Sequence, residues 1–166
     1  HRLPEDYIPA DLVVPKISFS YSGIYEKSYM RSRAAKAIEE LFSGALKKGY
    51  RLYGVSAYRS YERQDQIYRN NLRSKGEEKT NLVSAIPGSS EHQTGLAIDI
   101  SCSSINCALE ESFGRTPEGK WVKTNCHKYG FIIRYPHWRE KVTGYSFEPW
   151  HLRYVGKNLA KYLRFC

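Results

Sequence analysis

Ser90-Glu91-His92-Gln93-Thr94-Gly95-Leu96-Ala97-Ile98-Asp99-Ile100-Ser101 is the stretch on which the reading of this chain turns. Leu96 to Ser101 is a short apolar run following a glycine, the pattern of a strand buried inside a sheet. Asp99 breaks that pattern: a carboxylate between Ile98 and Ile100 is costly to bury unless it is paired or bound to a metal. His92 stands just before the run. A second imidazole, His151 in Glu148-Pro149-Trp150-His151, stands near the start of another aromatic and β-branched segment. Two imidazoles and a carboxylate make a three-ligand set for zinc that leaves a fourth position open, the arrangement hydrolytic zinc chemistry needs. Glu148, three positions before His151, is spaced to serve as a general base. Singly, each residue has an ordinary explanation: a hydrogen-bonded histidine, a turn aspartate, a surface glutamate. Their co-occurrence favours a metal site, although the helical H-E-x-x-H pattern is absent.

Outward from this stretch, the chain predicts helices and strands in separate runs. Residues 1–22, with Pro4, Pro9 and Pro15, read as an extended N-terminal arm, because each proline fixes its own φ; residues 23–166 form the domain proper. Ser28 to Lys48 is the clearest helix, with Ala34, Ala35, Ile38, Leu41, Phe42 and Ala45 on one face and Gly49 as its stop. Tyr50 to Tyr58 reads as a strand, and Ser60 caps a helix running to about Arg73. Residues 74–90 read as a polar connection. Pro117 to Tyr129 predicts a helix ended by Gly130, Phe131–Arg134 and Phe147–Val155 predict strands, and Lys157–Phe165 a terminal helix. Without βαβ alternation, the class is α+β: one domain, a small antiparallel sheet carrying the site, packed with helices.

Composition narrows the classes of function. The 166 residues suffice for one domain with a core, and no stretch approaches the roughly 20 apolar residues of a membrane span. The chain opens at His1 rather than methionine, which reads as a processed or trimmed start. The net charge is +9, but Lys and Arg are scattered rather than clustered, which argues against nucleic acid and suits a polyanionic surface or none. The cysteines Cys102, Cys107, Cys126 and Cys166 leave three alternatives open. They pair as disulfides in an oxidising compartment, with Cys102–Cys107 the favoured bridge; they are buried free thiols; or Cys102, Cys107 and Cys126 bind zinc with His127, whose spacing lacks the usual paired short knuckles.

Three blocks carry a resemblance. Ser90 to Asp99 resembles the S-x-H-x-x-G-x-A-x-D motif of the zinc D-Ala-D-Ala carboxypeptidase family, which includes the VanY enzymes and the LD-carboxypeptidases. Glu148-Pro149-Trp150-His151-Leu152-Arg153-Tyr154-Val155-Gly156 resembles that family's E-P-W-H-x-R-Y-V-G motif, and Ala57 to Gln64 its Y-R-S-x-x-x-Q segment. The blocks stand in the family's order and bracket residues 55 to 156. The resemblance implies one zinc per chain held by His92, Asp99 and His151, Glu148 as base, Arg59 facing the substrate to steady an oxyanion or terminal carboxylate, and Ser90 and Gln64 helping to seat the peptide end. It also implies a fold shared with the hedgehog signalling domain, an extracytoplasmic place of action at the bacterial cell wall, peptidoglycan stem peptides as partners, and removal of a C-terminal D-alanine. A D-Ala-D-Ala dipeptidase, a peptidoglycan endopeptidase or a zinc-containing binding module are the alternatives; Glu148 argues against the last. His127 and His137 match neither motif, Trp150 and Tyr154 are expected in the core, Gly95 is expected to allow a close approach beside the metal, and a monomer is the default.

Overall fold

The computed structural model describes residues 2–137 and 139–164. Its centre is a four-stranded antiparallel sheet of β3 (Tyr53–Ser56), β4 (Ala97–Ser101), β6 (Glu148–Tyr154) and β5 (Phe131–Tyr135), hydrogen-bonded in the order β3-β4-β6-β5. A two-residue pair, β1 (Leu12–Val13) and β2 (Met30–Arg31), forms a second, small sheet. Every residue of β4 is buried, as expected of a strand with a neighbour on each side.

Side chains alternate across a strand, and this divides the sheet's two jobs. Ile98, Ile100 and Leu152 share one apolar cluster with Ile38, Leu41 and Phe42 of α1 (Ser32–Lys47) and Val122 of α4 (Pro117–Asn125). Asp99 and His151 sit directly opposite one another in the β4–β6 register, at the intervening positions of their strands. One face of the sheet is therefore core and the other carries polar chemistry. Against that second face lie α2 (Tyr61–Lys75) and α3 (Glu77–Val83). A short α5 (Glu140–Thr143) and a terminal α6 (Lys157–Leu163) complete the helices; the terminal helix was expected to reach Phe165, which lies outside the described residues.

Several expectations needed correction. The first helix begins at Ser32, not Ser28: Glu26–Ser28 is a 3-10 turn, and Met30, fully buried, pairs with Val13 instead of opening a helix. The 74–90 connection contains α3, which Gly76 separates from α2 with a φ of 78°. Only Thr80 of α3 is buried, so it lacks the apolar periodicity that would have announced it. The helix starting at Pro117 ends at Asn125 and continues as a 3-10 turn, Cys126–Tyr129, before Gly130. Apart from these corrections, the N-terminal segment is hydrogen-bonded to the rest of the chain: the Gln93 amide donates to the carbonyls of Pro4 and Tyr7 at 2.9 and 3.3 Å, and Leu3 N–H donates to Gly88 O at 2.8 Å. The thiols of Cys102, Cys107 and Cys126 are free, so the favoured Cys102–Cys107 bridge is not formed; Cys166 lies outside the described residues.

Candidate metal centre and substrate cleft

Local structure delivers each donor. Ser90 caps the 3-10 turn Glu91–Thr94, its hydroxyl accepting from His92 N–H at 3.3 Å, and Gly95 closes the turn with a φ of 70°. This carries His92 to the mouth of β4. The His92 Nδ1–H donates to Ala57 O at 2.6 Å, which leaves Nε2 to face Asp99 Oδ2 at 3.2 Å. Across the register, His151 Nδ1 lies 2.9 Å from Asp99 Oδ1. All three side chains are buried, and one donor atom from each lies within 4.8 Å of the others. A tetrahedral zinc with ligands at about 2.0–2.2 Å spaces its donors by roughly 3.3–3.6 Å, so this His–Asp–His set, with its donors within 4.8 Å, can close on such an ion. Among the described residues no other such group occurs, and Cys102, Cys107, Cys126 and His127 are not gathered into one.

Glu148 reaches the site through an irregularity. In a regular strand, residues three apart face opposite sides. Here Ile133 pairs with Leu152 and Tyr135 with Glu148, so two steps along β5 match four along β6. The surplus falls around Pro149, which has no N–H to give a ladder, and it turns Glu148 back toward the metal face, with Oε2 4.0 Å from His151 Nδ1. Burial raises the Glu148 carboxyl to about 7, against the pull of His151 and Arg59. For His151, burial alone would lower the pKa, but hydrogen bonds to Asp99 and Glu91 outweigh it and raise it to about 9. Asp99, although buried, is held far below the usual carboxylate range by the two imidazoles.

Arg59 approaches from the loop between β3 and α2. Its Nη1 donates to Gln64 Oε1 at 2.8 Å, while Gln64 Nε2 donates to Ala85 O at 2.7 Å. The buried Gln64 amide is thus committed to holding Arg59 and the 84–85 loop. A cleft of about 250 Å³ brings together Arg59, Gln64, Ser90, His92, Asp99, Glu148 and His151, every site residue read from the sequence. Among the lining residues that the sequence reading missed are Glu91, Tyr135, whose ring lies against that of His151 at 5.1 Å, and Tyr145. Trp150 borders both the cleft and the core, while Tyr154 packs on the core as expected. The close approach at Gly95 is to Arg31 and Leu12, not to the metal donors.

An α+β domain whose sheet presents a buried His–Asp–His set to an open cleft, beside a carboxyl poised near neutrality, has the build of a single-metal hydrolase. Comparison with known proteins is more specific. The family model of VanY, D-alanyl-D-alanine carboxypeptidase, matches residues 27–157, and the chain belongs to that family. It is 52% identical over 164 residues to the putative carboxypeptidase YodJ of Bacillus subtilis (strain 168), covering 99% of this chain and 60% of that protein. It spans 38% to 60% of the lengths of the first three curated relatives. Among solved structures, it resembles the LdcB LD-carboxypeptidase, a structure concerned with peptidoglycan recognition, with a TM-score of 0.95 at 52% identity over 99% of this chain and 77% of that one. It also resembles a mutant of the vancomycin-resistance D,D-pentapeptidase VanY in complex with Zn(II), with a TM-score of 0.74 at 28% identity over 99% and 92% of the two chains.

Proposed function

We propose that this chain is a zinc-dependent carboxypeptidase that removes the C-terminal D-alanine from peptidoglycan stem peptides, acting outside the cytoplasm at the bacterial wall. In this reading residues 23–166 are the catalytic unit, residues 1–22 its arm, and one zinc per monomer is held by His92, Asp99 and His151. The observation that carries it is the cleft itself, where a three-donor cluster, a carboxyl lifted to about 7 and a fixed guanidinium face one space. The Zn(II) complex of the related VanY supports the choice of metal, as does the preference of zinc for imidazole and carboxylate donors with one position open.

Zinc bound there would polarise the scissile carbonyl and bring its water toward a pKa of ~7. Glu148 takes the proton from the attacking water and returns it to the leaving amine, a task suited to a carboxyl near neutrality. Arg59 steadies the negative charge at the peptide terminus or on the attacked carbonyl. Gln64 acts through Arg59 by fixing its guanidinium, and the Ser90 hydroxyl, already accepting from His92, keeps a proton to donate toward the peptide end.

Likeness to LdcB at 52% identity favours the tetrapeptide, and hence an L,D bond, over the pentapeptide. Mass spectrometry of defined muropeptides decides this: loss of one alanine from the tetrapeptide is the expected result. Release of a D-Ala-D-Ala dipeptide, or cleavage of a cross-link, would replace the carboxypeptidase by one of the alternatives. Amidating the substrate's C-terminus is expected to cost far more rate than altering its distant sugar. Equal turnover of the two would mean that Arg59 does not read the terminus.

A further inference from the structure

Glu91 has no part in the reading above, yet its carboxylate is where three donors converge. Its Oε2 lies 3.2 Å from His151 Nε2, and its Oε1 accepts from Arg134 Nε at 3.0 Å and lies 3.3 Å from Arg153 Nη1. Its side chain is 16% exposed. The two imidazoles of the site therefore turn opposite nitrogens inward. His92 gives its Nδ1–H to a backbone carbonyl and offers Nε2; His151 gives its Nε2–H to Glu91 and offers Nδ1.

We propose that Glu91 is the positioning residue of the metal centre: by accepting the Nε2 proton of His151 it fixes the tautomer and ring orientation that aim Nδ1 at the ion. The proposal rests on the zinc reading above. A carboxylate in this place does more than a carbonyl, because it raises the basicity of the ring it holds. It also offsets part of the positive charge of the guanidiniums of Arg134 on β5 and Arg153 on β6, which both pair with it. Since Glu91 directly precedes His92, one short turn supplies a donor and the residue that orients another.

Zinc dissociation constants of wild type, Glu91→Gln and Glu91→Ala, measured by competition with a chromophoric chelator, test this without reference to turnover. Glu91→Ala is expected to bind zinc roughly 10–100-fold more weakly. Glu91→Gln keeps an acceptor but loses the charge, so it is expected to fall between the two. Nitrogen-15 spectra of histidine-labelled, zinc-loaded wild type should show, of the two zinc-bound rings among the five histidines, one protonated at Nδ1 and one at Nε2. The Nε2-protonated signal should shift in both variants, a response that a merely structural ion pair would not produce. If Glu91→Ala does not fold, Glu91→Gln carries the test alone through its weakened affinity and shifted signal. Wild-type affinity and unchanged histidine signals in a folded variant would overturn the role of Glu91 alone. Failure of wild type to take up zinc would overturn the metal reading, and this one with it.

Discussion

Glu148 and His151 are three residues apart, and in the proposed chemistry they differ in kind: one moves a proton, the other holds the ion. Glu148→Gln keeps size and hydrogen-bonding shape but cannot accept a proton at neutral pH. It is expected to lower kcat by on the order of 10²–10⁴ with zinc still bound. His151→Ala is expected to lose zinc and activity together. Metal content and turnover measured on both variants separate the roles; zinc loss in Glu148→Gln would make that residue a ligand. The same carboxyl sets the acid side of the pH profile. A base must be ionised to work, so activity falls as pH drops through its pKa. Burial lifts that value to about 7 in the metal-free site, and a bound cation draws it back toward the ordinary 4.5. The acid limb of kcat/KM is therefore expected between these two values, and Glu148→Gln should flatten it. A limb at the same pH in that variant would assign the titration to another group.

The turn that delivers His92 depends on Gly95, at a φ of 70° that side chains rarely adopt. A Cβ there would stand 2.9 Å from Arg31 Cγ and 3.0 Å from Leu12 Cδ2, so the β1–β2 pair leaves it no room. Gly95→Ala is expected to destabilise by about 1–3 kcal/mol and to weaken zinc binding by displacing His92; urea unfolding and chelator competition measure the two. A variant as stable as wild type would mean that the turn relaxes without strain. How much of this was legible in sequence followed element by element. α1 was visible because its apolar spacing is strong, and β4 because a buried strand reads as a continuous apolar run. All seven residues of the expected site stand in three local motifs, so their types and spacing could be read before any fold was known. α3 was missed because its exposed face and single buried Thr80 leave no period to detect. Glu91 was missed for a different reason. Alone it is an acidic residue in the first turn of a short helix, an ordinary sight. Its contact with His151 exists only once β4 and β6 are in register and β5 brings Arg134 alongside.

Across the whole molecule, the proposed ion would tie together three elements that the chain brings in from distant places: the turn after Ser90, β4 and β6. Without it, Asp99 is a buried carboxylate that must be balanced otherwise, and a proton on a neighbouring imidazole would do so. His151 is the group suited to hold it, raised to about 9 by its hydrogen bonds to Asp99 and Glu91, which outweigh burial. His92 is lowered, by burial first, and stays neutral. The sign of the consequence follows from linkage. A histidine whose folded pKa lies above its unfolded value of 6.5 adds stability below 6.5 and loses it as pH rises through about 9. The metal-free protein is therefore expected to become less stable from about pH 6.5 to about pH 9. Zinc competes with that same proton for Nδ1, so its stabilising effect should grow over the same window. At a free concentration 100 to 1,000 times the dissociation constant, an ion bound only by the folded state adds about 2.7–4.1 kcal/mol. For a domain of this size that is a rise in Tm of roughly 5–16 °C. Differential scanning calorimetry of chelated and zinc-loaded protein, at several pH values between 6 and 9, measures the gap. His151→Ala should close it at every pH, since that variant has neither the proton nor the third donor. A gap that shrinks as pH rises, or one that His151→Ala leaves intact, would place the ion somewhere other than His92, Asp99 and His151.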